Sequence, residues 1–459
     1  MTNVLLLVLD TARRDALEPF GAPAGSSPAV AQLAARGVLA EQAHSAACWT
    51  LPSHAAMFTG LLPRAAGLAR APGRTPHSCR PVLEEQRDRL LPEVFRRAGH
   101  ATAGVSANLW IGDTSGFDTG FDRWRSVDSG RQSGLHDPAP KARLRWALEA
   151  ARANVDDGAR EARATVSSWV DDTQPGTPFF WFVNLNECHS PYLPPRPYSD
   201  VGLRGRLRAA EEAREYLTLE AIWRACAGGL EVPEEALERM RHLYARSVRQ
   251  MDDWLADVLS LLDERGVLDE TLVVVTADHG ENFGESGLMA HAFSLDERLT
   301  HVPLVAAGPG ADELTGLVSL ADLPRALARA AGIAHPWGPD LHAGVAVAEF
   351  DPPTGPDDER VQRTVREWGV GESGLRVMTT PLTSATDGAL KLVRRGASEE
   401  LFDLAADPLE RQPLDSSDPR AAELRAALDP RPVAVEPQAE ASAAELAEIE
   451  ERMKLLGYM

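Results

Sequence analysis

The sequence predicts an α/β fold in which a large, mostly parallel sheet is sandwiched by helices. A small C-terminal antiparallel sheet and a terminal helix follow it. Three observations carry this expectation. The continuous apolar runs 4–9, 179–184 (FFWFVN) and 271–276 (TLVVVT) read as strands covered on both faces. Helical patterns separate them, as parallel strands require. The 459 residues, 44% hydrophobic and 25% charged, suffice for a large core and exclude wholesale disorder.

The first run ends at Asp10. It lacks a basic leader and a small-residue cleavage site, so it reads as a strand rather than a signal peptide. Residues 28–36 (PAVAQLAAR) form a helix, with Ser26 and Ser27 as cap candidates and Gly37 as its stop. A helix over 91–98 ends at Gly99, and 102–106 is a short strand. Two stretches rich in Ala, Arg and Glu, 139–170 and 203–245, read as helical insertions with solvated charged faces. Residues 243–265 give a long amphipathic helix closed by Gly266; 302–306 (VPLVA) is a further strand and 320–331 a helix.

Composition changes after about 335, where 335–358 is rich in Pro, Gly and Asp and reads as a connection. Residues 389–394 and 400–404 resemble the arms of an antiparallel hairpin around Gly396. A linker over 430–442 precedes a helix over 443–456. Its Leu446, Ile449, Met453 and Leu456 recur every three or four residues, which predicts docking on the body. The expected division is a catalytic domain over 1–345, a small α+β unit over 346–430, and a linker with docking helix over 431–459.

With 47 Lys+Arg against 68 Asp+Glu, the net charge of −21 argues against a nucleic-acid polymer as partner, while leaving room for a local pocket for one small anion. The four cysteines are scattered and form no CxxC pair, as expected for reduced thiols. No apolar run approaches the ~18 residues of a membrane span. The expected setting is the cytoplasm, with no membrane partner.

Ligands of open α/β sheets bind beyond the carboxyl ends of the strands. Asp10, with Arg13 and Arg14 beyond it, follows the first strand; Asn186, Glu187 and His189 follow FFWFVN; Asp278 and His279 follow TLVVVT. Each Asp is also what a helix cap looks like. A carboxylate and an imidazole side by side at a sharp turn, with Gly280 to supply backbone freedom, suit zinc, manganese or iron. In TLPSHAAMFTG (50–60), Pro52 can open a helix, which places Thr50 at a helix start that favours an anion. A hydroxyl there beside a metal is a candidate nucleophile, and a plain cap is the alternative.

Asp10, TLPSHAAMFTG, NECHSPYLPP (186–195), TADHGENFGE (276–285) and HVPLVAAGPG (301–310) occur in an order that resembles the sulfatase family, a branch of the alkaline phosphatase superfamily. The resemblance covers residues 1–335, and the 389–408 stretch resembles the family's small C-terminal sheet. It implies an alkaline phosphatase-like fold. Asp10, Asp278, His279 and Thr50 would hold one divalent ion (Zn, Mn, Mg or Ca). His189 and His291 would touch the transferred anion or the leaving oxygen, and Arg13, His54 and Glu187 would line the substrate site. Glu187, His189 and His291 could instead hold a second metal.

The match departs from the family at its core. Sulfatases oxidise a Cys or Ser to formylglycine; here the aligned position is Thr50, which cannot yield that aldehyde, and Cys48 lies two positions early. His54 replaces the family arginine, and Thr11 stands where many members have a second Asp. Superfamily members with an unmodified Ser or Thr are typically phosphoryl or phosphonyl transfer enzymes. The expected function is hydrolysis of a small phosphate (mono- or di-) or phosphonate ester, as a phosphatase or phosphodiesterase, or phosphoryl transfer, through a covalent Thr50 intermediate. The alternatives are a sulfate-ester hydrolase working without formylglycine and a degenerate member that only binds an anion or a protein.

Overall fold

The computed structural model describes residues 1–429 apart from 74, 128–134, 136–138, 155, 339–343, 354 and 356–357. The expected linker and docking helix (431–459) lie outside the described residues. The strand order of the seven-stranded sheet is Val38–Leu39, Leu304–Ala307, Thr271–Thr276, Asn3–Leu9, Phe179–Leu185, Ala101–Ser106 and Arg123–Ser126. Asn3–Leu9 runs parallel to both neighbours, with Val4 beside Phe180 and Leu272. Ala101–Ser106 is parallel to Phe179–Leu185 and to Arg123–Ser126.

Every residue of the three central strands is buried, as their unbroken apolar runs demand. Leu304–Ala307 pairs antiparallel with Thr271–Thr276, and Val38–Leu39 antiparallel with Leu304–Ala307. Strand direction leaves no trace in an apolar run, so VPLVA could be read as a strand but not oriented. The long helix, Glu234–Glu264, starts well before the expected 243 and packs on Ala159–Asp172 and Pro28–Arg36. The insertions resolve into the helices Pro140–Arg152, Ala159–Asp172, Leu203–Tyr216 and Leu219–Cys226.

The second sheet is antiparallel, in the order Ala346–Phe350, Leu382–Thr386, Leu390–Arg395, Ser398–Asp403. The hairpin turns at Gly396, whose φ of 58° is left-handed. Residues 346–350 correct the reading of 335–358 as a plain connection. The pentapeptide AVAEF is too short, between Pro- and Gly-rich flanks, to announce a strand, yet its five residues are buried. No described helix is long and apolar enough to cross a membrane, and all four cysteines are buried and free.

Candidate active site

The three central strands lie side by side, so their carboxyl ends deliver side chains to one place. Asp10, Asp278 and His279 are fully buried there, and one ligand atom from each lies within 4.8 Å of the others. Asp10 Oδ1 and Asp278 Oδ2 are buried without a hydrogen-bond partner. Leaving two carboxylate oxygens unsatisfied is costly, and a divalent cation would satisfy both. The donor set of two carboxylates and one imidazole therefore fits a metal ion.

The remaining contacts hold this set in place. Asp10 Oδ2 accepts from Asn108 Nδ2 at 2.8 Å and Asn184 Nδ2 at 3.4 Å. Asp278 Oδ1 accepts from the amides of Thr11 (3.1 Å) and His279 (2.9 Å). Thr11 presents its amide from a left-handed turn, φ 59°. Tyr244, on the long helix, pins that turn: its hydroxyl donates to Thr11 O (2.8 Å) and accepts from Arg13 N (2.7 Å). His279 Nδ1 donates to Gly280 O at 2.9 Å, so the neutral ring keeps its lone pair on Nε2. The role of Gly280 is close approach rather than a left-handed turn, since a Cβ there would collide with the Arg298 carbonyl.

Electrostatics follow from burial and crowding. Burial, then Asp278, pushes the Asp10 carboxyl up to about 7. Burial also penalises Asp278 as an anion, but His279, His54 and the Thr11 amide outweigh this and hold it well below the usual range. His279 loses by burial and gains more from Asp278, reaching about 9.

Thr50 opens the helix Thr50–Thr59, all ten residues of which are buried and whose start no side chain caps. Its Oγ1 lies 3.3 Å from His279 Nε2, which itself lies 3.3 Å from Asp278 Oδ2. Ser53 anchors the helix to the metal-ligand turn by donating to Asp278 O at 2.7 Å. Thr50 thus comes together with Asp10, Asp278 and His279, four residues from three distant parts of the chain.

His189 and His291 form a second group against the first. Their ring centroids are 5.1 Å apart, and His291 lies 4.5 Å from the His279 ring. Other expected site residues are placed elsewhere. His54, fully buried, donates from Nδ1 to Thr50 O (2.9 Å), lies 3.5 Å from Asp278 Oδ2, and is boxed by Phe117 and Phe182. It supports the helix start rather than lining a substrate pocket. Burial pushes its pKa down, so it is neutral. The Arg13 guanidinium is spent on Asp15, Glu285 and the Glu281 carbonyl, and Arg14 pairs with Glu41.

Among the described residues Glu187 does not come together with His189 and His291 in a metal-type cluster. Its Oε1 accepts from Ala159 N (2.7 Å), at the start of the helix Ala159–Asp172. Burial, with Asp157 and Asp156 nearby, raises its carboxyl to about 8. One of its oxygens is thus turned to a helix start, although its neighbour His189 faces His291.

Sequence reasoning missed Asn108, Asn184, Glu281 and Tyr192. Asn108 follows the strand Ala101–Ser106, so the same signal of a polar residue beyond a strand end could have found it. Glu281 sits inside the quoted TADHGENFGE block but resembles an ordinary turn acid.

The sulfatase family model matches residues 2–333, and the chain belongs to that family. It is similar to choline-sulfatase of Rhizobium meliloti (strain 1021), 29% identical over 254 residues, 52% of this chain and 47% of the relative. It is also similar to human N-acetylgalactosamine-6-sulfatase, 24% identical over 299 residues, 61% of this chain and 50% of the relative. The chain thus spans about half the length of these curated relatives. Among solved structures, phosphonate monoester hydrolase of Agrobacterium radiobacter superposes with a TM-score of 0.64 at 19% identity. That match covers 98% of this chain and 96% of the other, and it shares the fold.

Proposed function

We propose that the chain is a metal-dependent ester hydrolase that cleaves a small phosphate or phosphonate ester with Thr50 as nucleophile, or passes the phosphoryl group to an acceptor alcohol. The single observation that carries this is the unmodified Thr50 hydroxyl at 3.3 Å from His279 Nε2, against the buried Asp10–Asp278–His279 set. A divalent ion on that set supplies a lowered alcohol pKa and neutralisation of charge on the transferred group.

The chain's own residues do the rest. Thr50 Oγ releases its proton to solvent and attacks phosphorus, so that the Oγ–P bond forms as the bond to the leaving oxygen breaks. His189 and His291 bind the transferred anion and hand a proton to that oxygen; the packing of His291 against both His189 and His279 supports this role. Water then attacks phosphorus in line and gives one proton to the histidine, the Oγ–P bond breaks, and Thr50 Oγ takes its proton back from solvent. His54 and Ser53 hold the helix start in register. The arginines next to Asp10 are engaged with carboxylates, so anion binding falls to the helix start, the histidines and the metal.

The choline- and N-acetylgalactosamine-6-sulfatase relatives favour, as second reading, a sulfate ester cleaved by the same hydroxyl. Matched 4-nitrophenyl phosphate, phenylphosphonate and sulfate esters, assayed with zinc, manganese, magnesium or calcium, separate the two. The phosphoryl reading expects turnover of a phosphorus ester that Thr50→Ala abolishes. Turnover of the sulfate ester alone contradicts it. Failure of the purified chain to bind any divalent ion contradicts both and supports a binding-only member.

A further inference from the structure

We infer that Glu281 and Tyr192 are positioning residues that lock His291 with Nδ1–H inward and Nε2 toward the leaving oxygen. The inference rests on the hydrolase reading above and adds to it the proton donor and its support. Glu281 is fully buried, and both its oxygens are engaged. Oε1 lies 3.0 Å from His291 Nδ1, and Oε2 accepts from the Tyr192 hydroxyl at 2.7 Å. A carboxylate only accepts, so Nδ1 must be the donor, and Nε2 is the nitrogen left for substrate.

The lock is rigid on every side. The Tyr192 ring packs on Tyr244 and Phe283, with centroids 5.8 and 5.3 Å away, so the hydroxyl cannot follow a swinging carboxylate. Arg13 bonds the Glu281 carbonyl at 3.2 Å and the Glu285 carboxylate at 2.7 Å, which clamps the turn that carries Glu281. His291 is only 19% exposed and lies against His279 on one side and His189 on the other. Arg13, read from sequence as an anion ligand, thereby acquires a task in the same lock.

The chemistry this serves is a two-way proton transfer. As the phosphorus–oxygen bond to the leaving group breaks and Thr50 Oγ–P forms, the proton on His291 Nε2 passes to the departing oxygen. When water attacks the phospho-threonine, Nε2 takes one of its protons as the Oγ–P bond breaks. Through both halves the Glu281 carboxylate stabilises the ring's charge and fixes its orientation, as an acid does for a histidine base elsewhere.

Three variants of the metal-loaded full chain test the lock: Glu281→Gln, Tyr192→Phe and His291→Ala. Glu281→Gln should lower kcat by about 10²-fold on an alkyl phosphate ester but by less than about fivefold on the 4-nitrophenyl ester, whose leaving group needs no proton. KM and divalent metal per chain should stay unchanged, and Tyr192→Phe should show a weaker form of the same split. The double variant Glu281→Gln/His291→Ala should lose no more than His291→Ala alone, because the two act as one unit. Equal losses on both leaving groups, additive losses, or a drop in bound metal overturn the inference.

A readout independent of turnover separates this from the hydrolase reading. With 15N-labelled histidine, NMR should show the neutral His291 ring protonated at Nδ1, a tautomer that Glu281→Gln shifts toward Nε2. A tautomer that the substitution leaves unmoved overturns the lock even where esters turn over. An unaltered chain that turns over no ester breaks the hydrolase reading, while the tautomer still decides the placement of His291.

Discussion

Two buried charge clusters in this molecule differ in how completely they are satisfied. At the sheet tips, Asp10 and Asp278 each keep an oxygen without a partner, and Asp10 is pushed up to about 7. Between the body and the C-terminal sheet, the buried Lys391 ammonium reaches Glu297 Oε1 (2.8 Å), Glu410 Oε1 (3.0 Å) and Thr300 Oγ1 (3.3 Å). Glu297 Oε2 in turn meets His301 Nδ1 at 3.0 Å, and the His301 ring stacks on His44. In the second cluster the ammonium and both glutamates are paired with one another, which fastens the small sheet to the body. The first is left open in a way that a cation would complete. Two facing carboxylates that each keep an unpaired oxygen beside an imidazole set the first cluster apart from the second.

The largest effect expected from this contrast is on turnover. Thr50→Ala should lower kcat by at least about 10⁴-fold, measured on the phosphate ester that the unaltered protein hydrolyses best, with its melting temperature nearly unchanged. Lys391→Met should do the opposite. It should cost about 3–5 kcal/mol in denaturant unfolding, because Glu297 and Glu410 stay buried and lose the ammonium between them, while kcat per folded molecule is kept. An activity loss in Lys391→Met at full stability would break the division between the two clusters.

Metal binding sharpens the comparison further. Chelation should abolish turnover and lower the melting temperature, since an ion at a thousandfold excess over its Kd stabilises by about 4 kcal/mol. Calorimetry with and without chelator reads this directly. Asp278→Asn should erase the metal-dependent part of the shift.

The closed cluster also sets a pH window. The Glu297 carboxyl feels burial, which raises its pKa, but Lys391, His301 and His44 outweigh that and hold it well below the usual 4.5. A carboxyl depressed in the folded state contributes stability above its unfolded pKa and loses it as pH falls through the folded value. Stability should therefore decline below about pH 4.5, and Glu297→Gln should flatten that decline in urea titrations at stepped pH. The smallest effect is expected at Glu187. Its carboxyl, raised to about 8 by burial and nearby Asp157 and Asp156, is costly to ionise. Glu187→Gln should change kcat less than about twofold and leave stability at pH 7 level or slightly higher.

The sequence spoke clearly wherever burial on both faces left a continuous apolar run, as in Thr271–Thr276, whose bounds coincide with the strand observed. The convergence of Asp10, Asp278 and His279 was legible for the same reason, because side chains just beyond adjacent parallel strands must share a cavity. Hidden were features that depend on direction or on a neighbour far along the chain. The antiparallel sense of Leu304–Ala307 and the short strand Ala346–Phe350 are examples. Glu187 and Glu281 show the limit most sharply. Both are acids next to a histidine-bearing turn, yet one caps a helix and the other grips His291, a difference set by Ala159 and Tyr192.

An unmodified threonine that takes the transferred group leaves an adduct that can be trapped. The metal-loaded protein is mixed with a 32P-labelled phosphate ester, quenched in acid within one turnover, digested and sequenced by mass spectrometry. One labelled phosphoryl group is expected on Thr50, absent from Thr50→Ala. Steady turnover with Thr50 never labelled, or with the label carried by another residue, would contradict it.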